Sequence, residues 1–203
     1  MTKARLPRIF IIEGIPGSGK DTLTTTLLEL LHKDARPVYH YPEEGLGFSY
    51  THSYWPGITK ARLSMMESAL DFVEEESRRH PGAVFVFNRF HLSLCIPLNE
   101  SSPDAGVQER FSAIIDRLRQ MNVLVLLLQL EKWKIASVLH PERVRRDIAW
   151  KLFLTRRMRE SPYNTPQEFY TKQQQQLLWL VQEQGLPYRS GTLAELLGFV
   201  ASL

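Results

Sequence analysis

Arg8-Ile9-Phe10-Ile11-Ile12-Glu13-Gly14-Ile15-Pro16-Gly17-Ser18-Gly19-Lys20-Asp21 is the stretch whose reading decides the fold. Residues 8–13 form a short β-branched and aromatic run, as expected of a parallel strand buried on both faces. Gly14, Gly19 and Lys20 then satisfy G-x-x-x-x-G-K. From Asp21 to His32, Leu23, Leu27, Leu30 and Leu31 recur at helical spacing. A phosphate-binding loop needs this strand-loop-helix setting. Its glycines let backbone N–H groups turn inward around a phosphate, the helix N-terminus adds partial positive charge, and Lys20 adds a full one. Gly14, Pro16, Gly17, Ser18, Gly19, Lys20, Asp21 and Thr22 are therefore the candidate nucleotide-binding residues. Asp21 is irregular, because Ser or Thr normally stands there and offers a hydroxyl to Mg²⁺.

Working outward, the chain alternates strand and helix. Residues 36–41 read as a second strand, ended by Pro42 and the turn-prone Glu43-Glu44-Gly45. Residues 58–80 have helical periodicity, and Pro81-Gly82 punctuates them before a third strand over 83–88. A loop over 96–106 precedes a helix over 107–121, and residues 123–130, the most apolar run, read as a central strand. A basic helical tract spans 132–160. Thr165-Pro166-Gln167-Glu168 reads as a capping box with proline at the first helical position, opening a helix that ends near Gly185. A last strand over 186–190 leads to a final helix capped by Thr192 and Glu195. The glutamine run Gln173 to Gln176 reads as a solvated face.

This pattern predicts an α/β fold of three layers, α/β/α, around a mostly parallel five-stranded sheet. The 203 residues fit a single domain without repeat or linker. Ligands in such sheets bind at the carboxyl ends of the strands. Residues 14–20, 41–44, 88–91 and 129–132 are accordingly expected along one edge.

Composition excludes several classes. Apolar residues make up 43% and charged residues 23%, ordinary values for a globular protein. The net charge of +3 suits phosphorylated ligands but is too small to imply nucleic acid. The basic tract also lacks interleaved stacking aromatics. The single cysteine, Cys95, excludes an internal disulfide and a Cys-rich zinc site. No run reaches the roughly 18 apolar residues of a membrane span, and residues 1–8 lead into the first strand without a cleavable leader. A cytoplasmic protein without membrane contact is expected.

With these segments in place the chain resembles the nucleoside and nucleoside-monophosphate kinases of the P-loop superfamily, especially thymidylate kinase-like proteins. The matching segments are residues 14–20, Tyr41-Pro42-Glu43-Glu44, Asn88-Arg89-Phe90-His91-Leu92-Ser93, Arg143-Val144-Arg145-Arg146 and Gly185-Leu186-Pro187-Tyr188. The resemblance implies ATP and Mg²⁺ as cofactors, a nucleoside or nucleotide as acceptor, and an arginine-bearing lid over about 132–160. It makes Arg89 a grip for the acceptor's phosphate or hydroxyl end, which its forked donors suit; a surface arginine at the sheet edge is the plain alternative. Glu43 or Glu44 would accept a proton from the attacking hydroxyl or bind a sugar, or is a solvated turn residue. Arg143 and Arg146, one helical turn apart, are the lid arginines expected to stabilise the transition state. Phe48, Tyr50, His52, Tyr54 and Trp55 would stack a planar acceptor or pack inward. Related kinases are often dimers, so a homodimer is compatible with the resemblance.

Two positions depart from that pattern. An Asp usually stands where Asn88 does, while the loop here gains a carboxylate at Asp21. A carboxylate about 4 Å from a phosphate costs about 4 kcal/mol at intermediate dielectric unless a cation lies between them. Asp21 and Asn88 are thus candidate metal ligands, the charge having moved from strand to loop. Alternatively Thr22 supplies the hydroxyl one position late, or the site is weak or inactive. The leading expectation is an ATP-dependent phosphotransferase acting on a small acceptor through Lys20, Arg89, Glu43, Arg143 and Arg146. A non-catalytic nucleotide-binding module and a kinase for a non-nucleoside alcohol are the alternatives. No Asn-Lys-x-Asp run for guanine is present.

Overall fold

A computed structural model describes residues 6–33, 36–43, 58–93, 105–138 and 162–203, with 152, 155, 156 and 159. Its elements are β1 (Ile9–Gly14), α1 (Lys20–Lys33), β2 (Val38–Tyr41), α2 (Ile58–Arg79), β3 (Val84–Asn88), α3 (Ala105–Gln120), β4 (Val123–Leu128), α4 (Lys132–Val138), α5 (Pro166–Glu183), β5 (Tyr188–Gly191) and α6 (Leu193–Val200). The five strands form one parallel sheet in the order β2-β3-β1-β4-β5. The expected three-layer α/β fold is present.

Every residue of β1 is buried, as the continuous apolar run requires. Ile9 and Ile11 face one layer with Phe85, Phe87, Val125, Leu63, Ile114 and Leu180. Phe10 and Ile12 face the other with Val86, Leu126, Leu23, Leu27, Leu196 and Val200. The period of two along each strand thus feeds two cores, one under α2, α3 and α5, the other under α1 and α6. Each fully buried Leu, Ile or Phe contributes about 1.5–3 kcal/mol by leaving water. Tyr39 and Tyr41 on β2 stack on Phe85 and Phe87 of β3, with ring centroids 5.1 and 4.5 Å apart. Arg110 of α3 grips Glu67 and Ser64, and Arg117 grips Asp71 and Glu74, fixing α3 against α2.

The placement of β1 matters most for function. It lies between β3 and β4, with β2 and β3 on one side and β4 and β5 on the other. The winding of the sheet reverses there, so a crevice opens at the carboxyl end of β1, where the glycine loop begins.

Several details differ from expectation. The fifth strand starts at Tyr188 rather than Leu186, because proline at 187 has no N–H for the ladder; Pro187 joins only through its carbonyl, which accepts Val125 N at 2.9 Å. β4 stops at Leu128; Gln129 N still donates to Gly191 O of β5 at 2.8 Å, and from Leu130 the backbone turns to the Gln174 side chain. At Thr165 the side chain accepts Glu168 N as an N-cap should, but the Glu168 carboxylate reaches back to Asn164 N rather than to the cap's own amide. The box at Thr192 and Glu195 is complete. The glutamine run is not a solvated face: Gln174 accepts Leu130 N at 2.7 Å and donates to Leu130 O at 3.0 Å, tying α5 to the end of β4. Of the basic tract, residues 132–138 form α4.

Candidate phosphate-binding and acceptor site

The loop between β1 and α1 is shaped by its glycines. At Gly14, φ is +154°, and a Cβ would stand 2.7 Å from Ser18 Oγ and 3.0 Å from the Leu128 carbonyl. At Gly19, φ is +98°, and a Cβ would stand 2.9 Å from Leu193 Cδ2 of α6. Neither position admits a side chain without displacing a wall of the loop. Ser18 is buried, and its hydroxyl has no hydrogen-bond partner among the described residues. Lys20 opens α1 and folds back into the loop, its Nζ donating to Ile15 O at 3.3 Å. Only 6% of Lys20 is exposed. Burial, followed by the neighbouring Arg89 charge, pulls its amine down to about 7 against the pull of Glu43, Glu13 and Asp21. A buried ammonium held beside a second cation is poised to receive an anion.

The strand ends bring the other expected groups to this edge. Arg89 follows β3, and its Nε lies 2.9 Å from Glu43 Oε2, which follows β2. Only 14% of the Arg89 side chain is exposed. Burial opposes its charge, yet Glu43 and Glu13 outweigh that effect and hold the guanidinium above its ordinary value. Arg89 has φ of 68°, the only described non-glycine residue in the left-handed region. Its amide donates to Ile12 O at 2.9 Å, which locks the turn against β1.

Asn88 and Asp21, far apart in sequence, are in contact. Asn88 Nδ2 donates to Asp21 Oδ1 at 2.9 Å. Asn88 is 7% exposed, and its Oδ1 is buried without a hydrogen-bond partner among the described residues. One amide oxygen and one carboxylate are therefore presented together at the start of α1, a hard donor set of the kind Mg²⁺ takes. Thr22 is exposed on the first turn of α1.

Two groups escaped the sequence reading. Glu13 is fully buried at the end of β1 and accepts Phe90 N, Ser93 N and Ser93 Oγ. A carboxylate closing a buried apolar strand was the available signal. Arg62, in the first turns of α2, is 6% exposed; burial and then Arg89 lower its guanidinium to about 10, against Glu43. It shares the electrostatic neighbourhood of Arg89 and Glu43, which nothing local in the sequence of α2 announces. His91, two residues on from Arg89, is buried and shares a 2.9 Å hydrogen bond with Gln184 Oε1. Arg143 and Arg146 lie outside the described residues, as do Glu44, Cys95 and the aromatic set 48–55. Among the described residues no helix is long and apolar enough to cross a membrane.

No family model matches the chain, and no curated protein matches it. Among solved structures, the YorR protein of Bacillus subtilis, in complex with phosphorylated GDP, aligns at TM-score 0.51 and 13% identity over 91% of this chain and 85% of that one. Deoxyadenosine kinase from M. mycoides, with products dCMP and a flexible dCDP bound, aligns at 0.47 and 14% over 96% of each chain, a score that carries no argument. Likeness at such identity shows the fold alone, and the chain shares the α/β fold of the YorR protein, a parallel sheet flanked by helices.

Proposed function

We propose that the protein is an ATP-dependent phosphotransferase that moves the γ-phosphoryl group to a nucleoside or nucleoside monophosphate, in the manner of thymidylate kinase-like enzymes. The observation that carries this reading is the pairing of Arg89 with Glu43 across the strand ends, beside Lys20 in the glycine loop. A simple phosphate cradle needs only the loop. An ion-paired arginine and carboxylate beside it supply a second binding position, with a forked donor for phosphate oxygens and an acceptor for a hydroxyl proton. The YorR structure, with its phosphorylated GDP, supports a nucleotide in this crevice.

In this reading the loop amides hold the β and γ phosphates while Lys20 neutralises their oxygens. Arg89, with Arg62 behind it, orients the acceptor, and Glu43 takes the proton of the attacking hydroxyl. Arg143 and Arg146 are assigned to the transition state as lid residues by the family resemblance. Asp21 and Asn88 fit Mg²⁺, which when bound supplies charge neutralisation between phosphate oxygens. Their mutual hydrogen bond leaves Asn88 Oδ1 to be satisfied by something other than the described protein.

The test is ATP and Mg²⁺ with purified protein against a panel of nucleosides, nucleotides and small alcohols, following ADP release. Turnover with one acceptor class, lost in Lys20→Ala, is the expected result. A second reading, a nucleotide-binding module without catalysis, is favoured by the Asp21 carboxylate beside a phosphate site; ATP binding with no turnover on any acceptor would establish it. Mg²⁺-dependent ADP affinity separates the roles of Asp21: it falls in Asp21→Ala if the carboxylate binds metal, and equal affinity in wild type, Asp21→Ala and Asp21→Ser removes that role.

A further inference from the structure

A carboxylate one residue before a glycine loop invites the role of proton acceptor, but both oxygens of Glu13 are engaged by the segment after β3. Its Oε1 accepts Phe90 N at 2.8 Å and Ser93 N at 3.3 Å, and its Oε2 accepts the Ser93 hydroxyl at 2.6 Å. Ser93 Oγ in turn accepts Arg89 Nη1 at 3.1 Å. The directions of these bonds are fixed by chemistry. A guanidinium only donates and a carboxylate only accepts, so the serine hydroxyl must take from Arg89 and give to Glu13. The result is a one-way chain from Arg89 through Ser93 to the buried end of β1. It also closes a ring, since Arg89 N donates to Ile12 O on the same strand. Residues 89–93 are thereby pinned at both ends, and Arg89 keeps a left-handed backbone that a residue with a Cβ otherwise avoids.

We propose that Glu13 is a positioning residue, which through Ser93 sets the rotation of the Arg89 guanidinium toward the acceptor. Two partners flank the guanidinium: Ser93 Oγ accepts a hydrogen bond from Nη1, and the Glu43 carboxylate stands 2.9 Å from Nε as an ion pair, at an angle that makes no hydrogen bond. With Nη1 bonded to Ser93, rotation of the fork is restrained before any ligand arrives, which reduces the ordering that binding requires.

The functional half of this inference rests on the reading of Arg89 as the acceptor's ligand, so the test has an arm that needs no turnover. Rotation of the Arg89 guanidinium about Nε–Cζ is measured by side-chain NMR in wild type, Ser93→Ala, Ser93→Thr and Glu13→Gln. Slow rotation is expected in wild type and Ser93→Thr, with fast rotation in Ser93→Ala. Fast rotation already in wild type, or none gained in Ser93→Ala, overturns the proposal. In kinetics, Ser93→Ala is expected to raise the acceptor KM about tenfold or more, the loss of one charge-assisted bond, with ATP KM unchanged. Glu13→Gln is expected to do the same while keeping the acidic limb of the pH–rate profile; loss of that limb makes Glu13 a proton acceptor and overturns the positioning role. If the NMR pattern holds but wild type turns over no acceptor, the latch stands and the phosphotransferase reading falls.

Discussion

Nucleotide binding should be coupled to proton uptake at Lys20. With the amine at about 7 in the free protein, it is mostly neutral at pH 8, and burial is the main cause. A bound polyphosphate needs the charged form, so binding at pH 8 must recharge the group. One pH unit above about 7 costs about 1.4 kcal/mol. The nucleotide affinity should therefore fall about tenfold per pH unit above pH 7, with uptake of about 0.9 proton per nucleotide at pH 8 and almost none at pH 6. Calorimetric titration with ADP in buffers of different ionisation enthalpy reads this directly. The same lysine opposes folding. An unfolded chain keeps its proton up to the ordinary 10.5, while the folded chain releases it near 7, so the penalty is fully present at and below pH 7 and fades as pH rises to 10.5. That interval corresponds to about 5 kcal/mol as an upper limit. Lys20→Met, which keeps the apolar stem, should stabilise the free protein by a few kcal/mol at pH 7, less at pH 9.5, and abolish ADP binding. Zero proton uptake at pH 8, or an affinity flat from pH 7 to 9, would refute the reasoning.

Three further outcomes follow from the same structure. Burial lowers His91 to about 3 against the opposing bond from Gln184, so the unfolded chain gains a proton below pH 6.5 that the folded chain refuses. Stability should fall by about 2 kcal/mol from this group between pH 7 and 5, and urea denaturation of His91→Gln should lack that component. Gly19→Ala should cost about 1–3 kcal/mol in thermal denaturation, from the disfavoured φ and the contact with Leu193; adding Leu193→Ala should recover the contact part only, and full recovery would mean that the backbone is unstrained. Gln174→Ala should cost about 1–3 kcal/mol by orphaning both backbone groups of Leu130, whereas exposed Gln175→Ala should stay within about 0.5 kcal/mol. Equal effects at the two glutamines would restore the solvated-face reading.

The glycine loop between β1 and α1 was legible because its pattern is written in adjacent residues: glycine spacing, lysine, and a strand and helix of different period on either side. Arg89 and Glu43 were legible through topology, since parallel pairing of β2 with β3 sends both chain ends to one edge. The contact between Asp21 and Asn88 was legible only as two coincident oddities, because no pattern along the chain measures the distance between a helix start and a strand end. Glu13 and Arg62 were hidden for a different reason: a charged residue in a strand or helix declares its burial only when its partners arrive from other elements. Gln174 shows the same limit inverted. Four like residues span every side of a turn, so composition cannot tell that one of them faces a backbone that lacks a neighbour. Strand limits moved by one or two residues where proline removed a donor or a side chain replaced the ladder.

Leu193 stands against Gly19 at the back of the phosphate loop, and the complete capping box at Thr192 and Glu195 holds it there. The wall of the loop is thus supplied by a segment that is synthesised well after it. A nascent chain has the glycines and the lysine early but lacks the side chain that backs them. The shape of the loop therefore matures with α6, and a chain stalled before α6 would carry the motif without the rigid cradle.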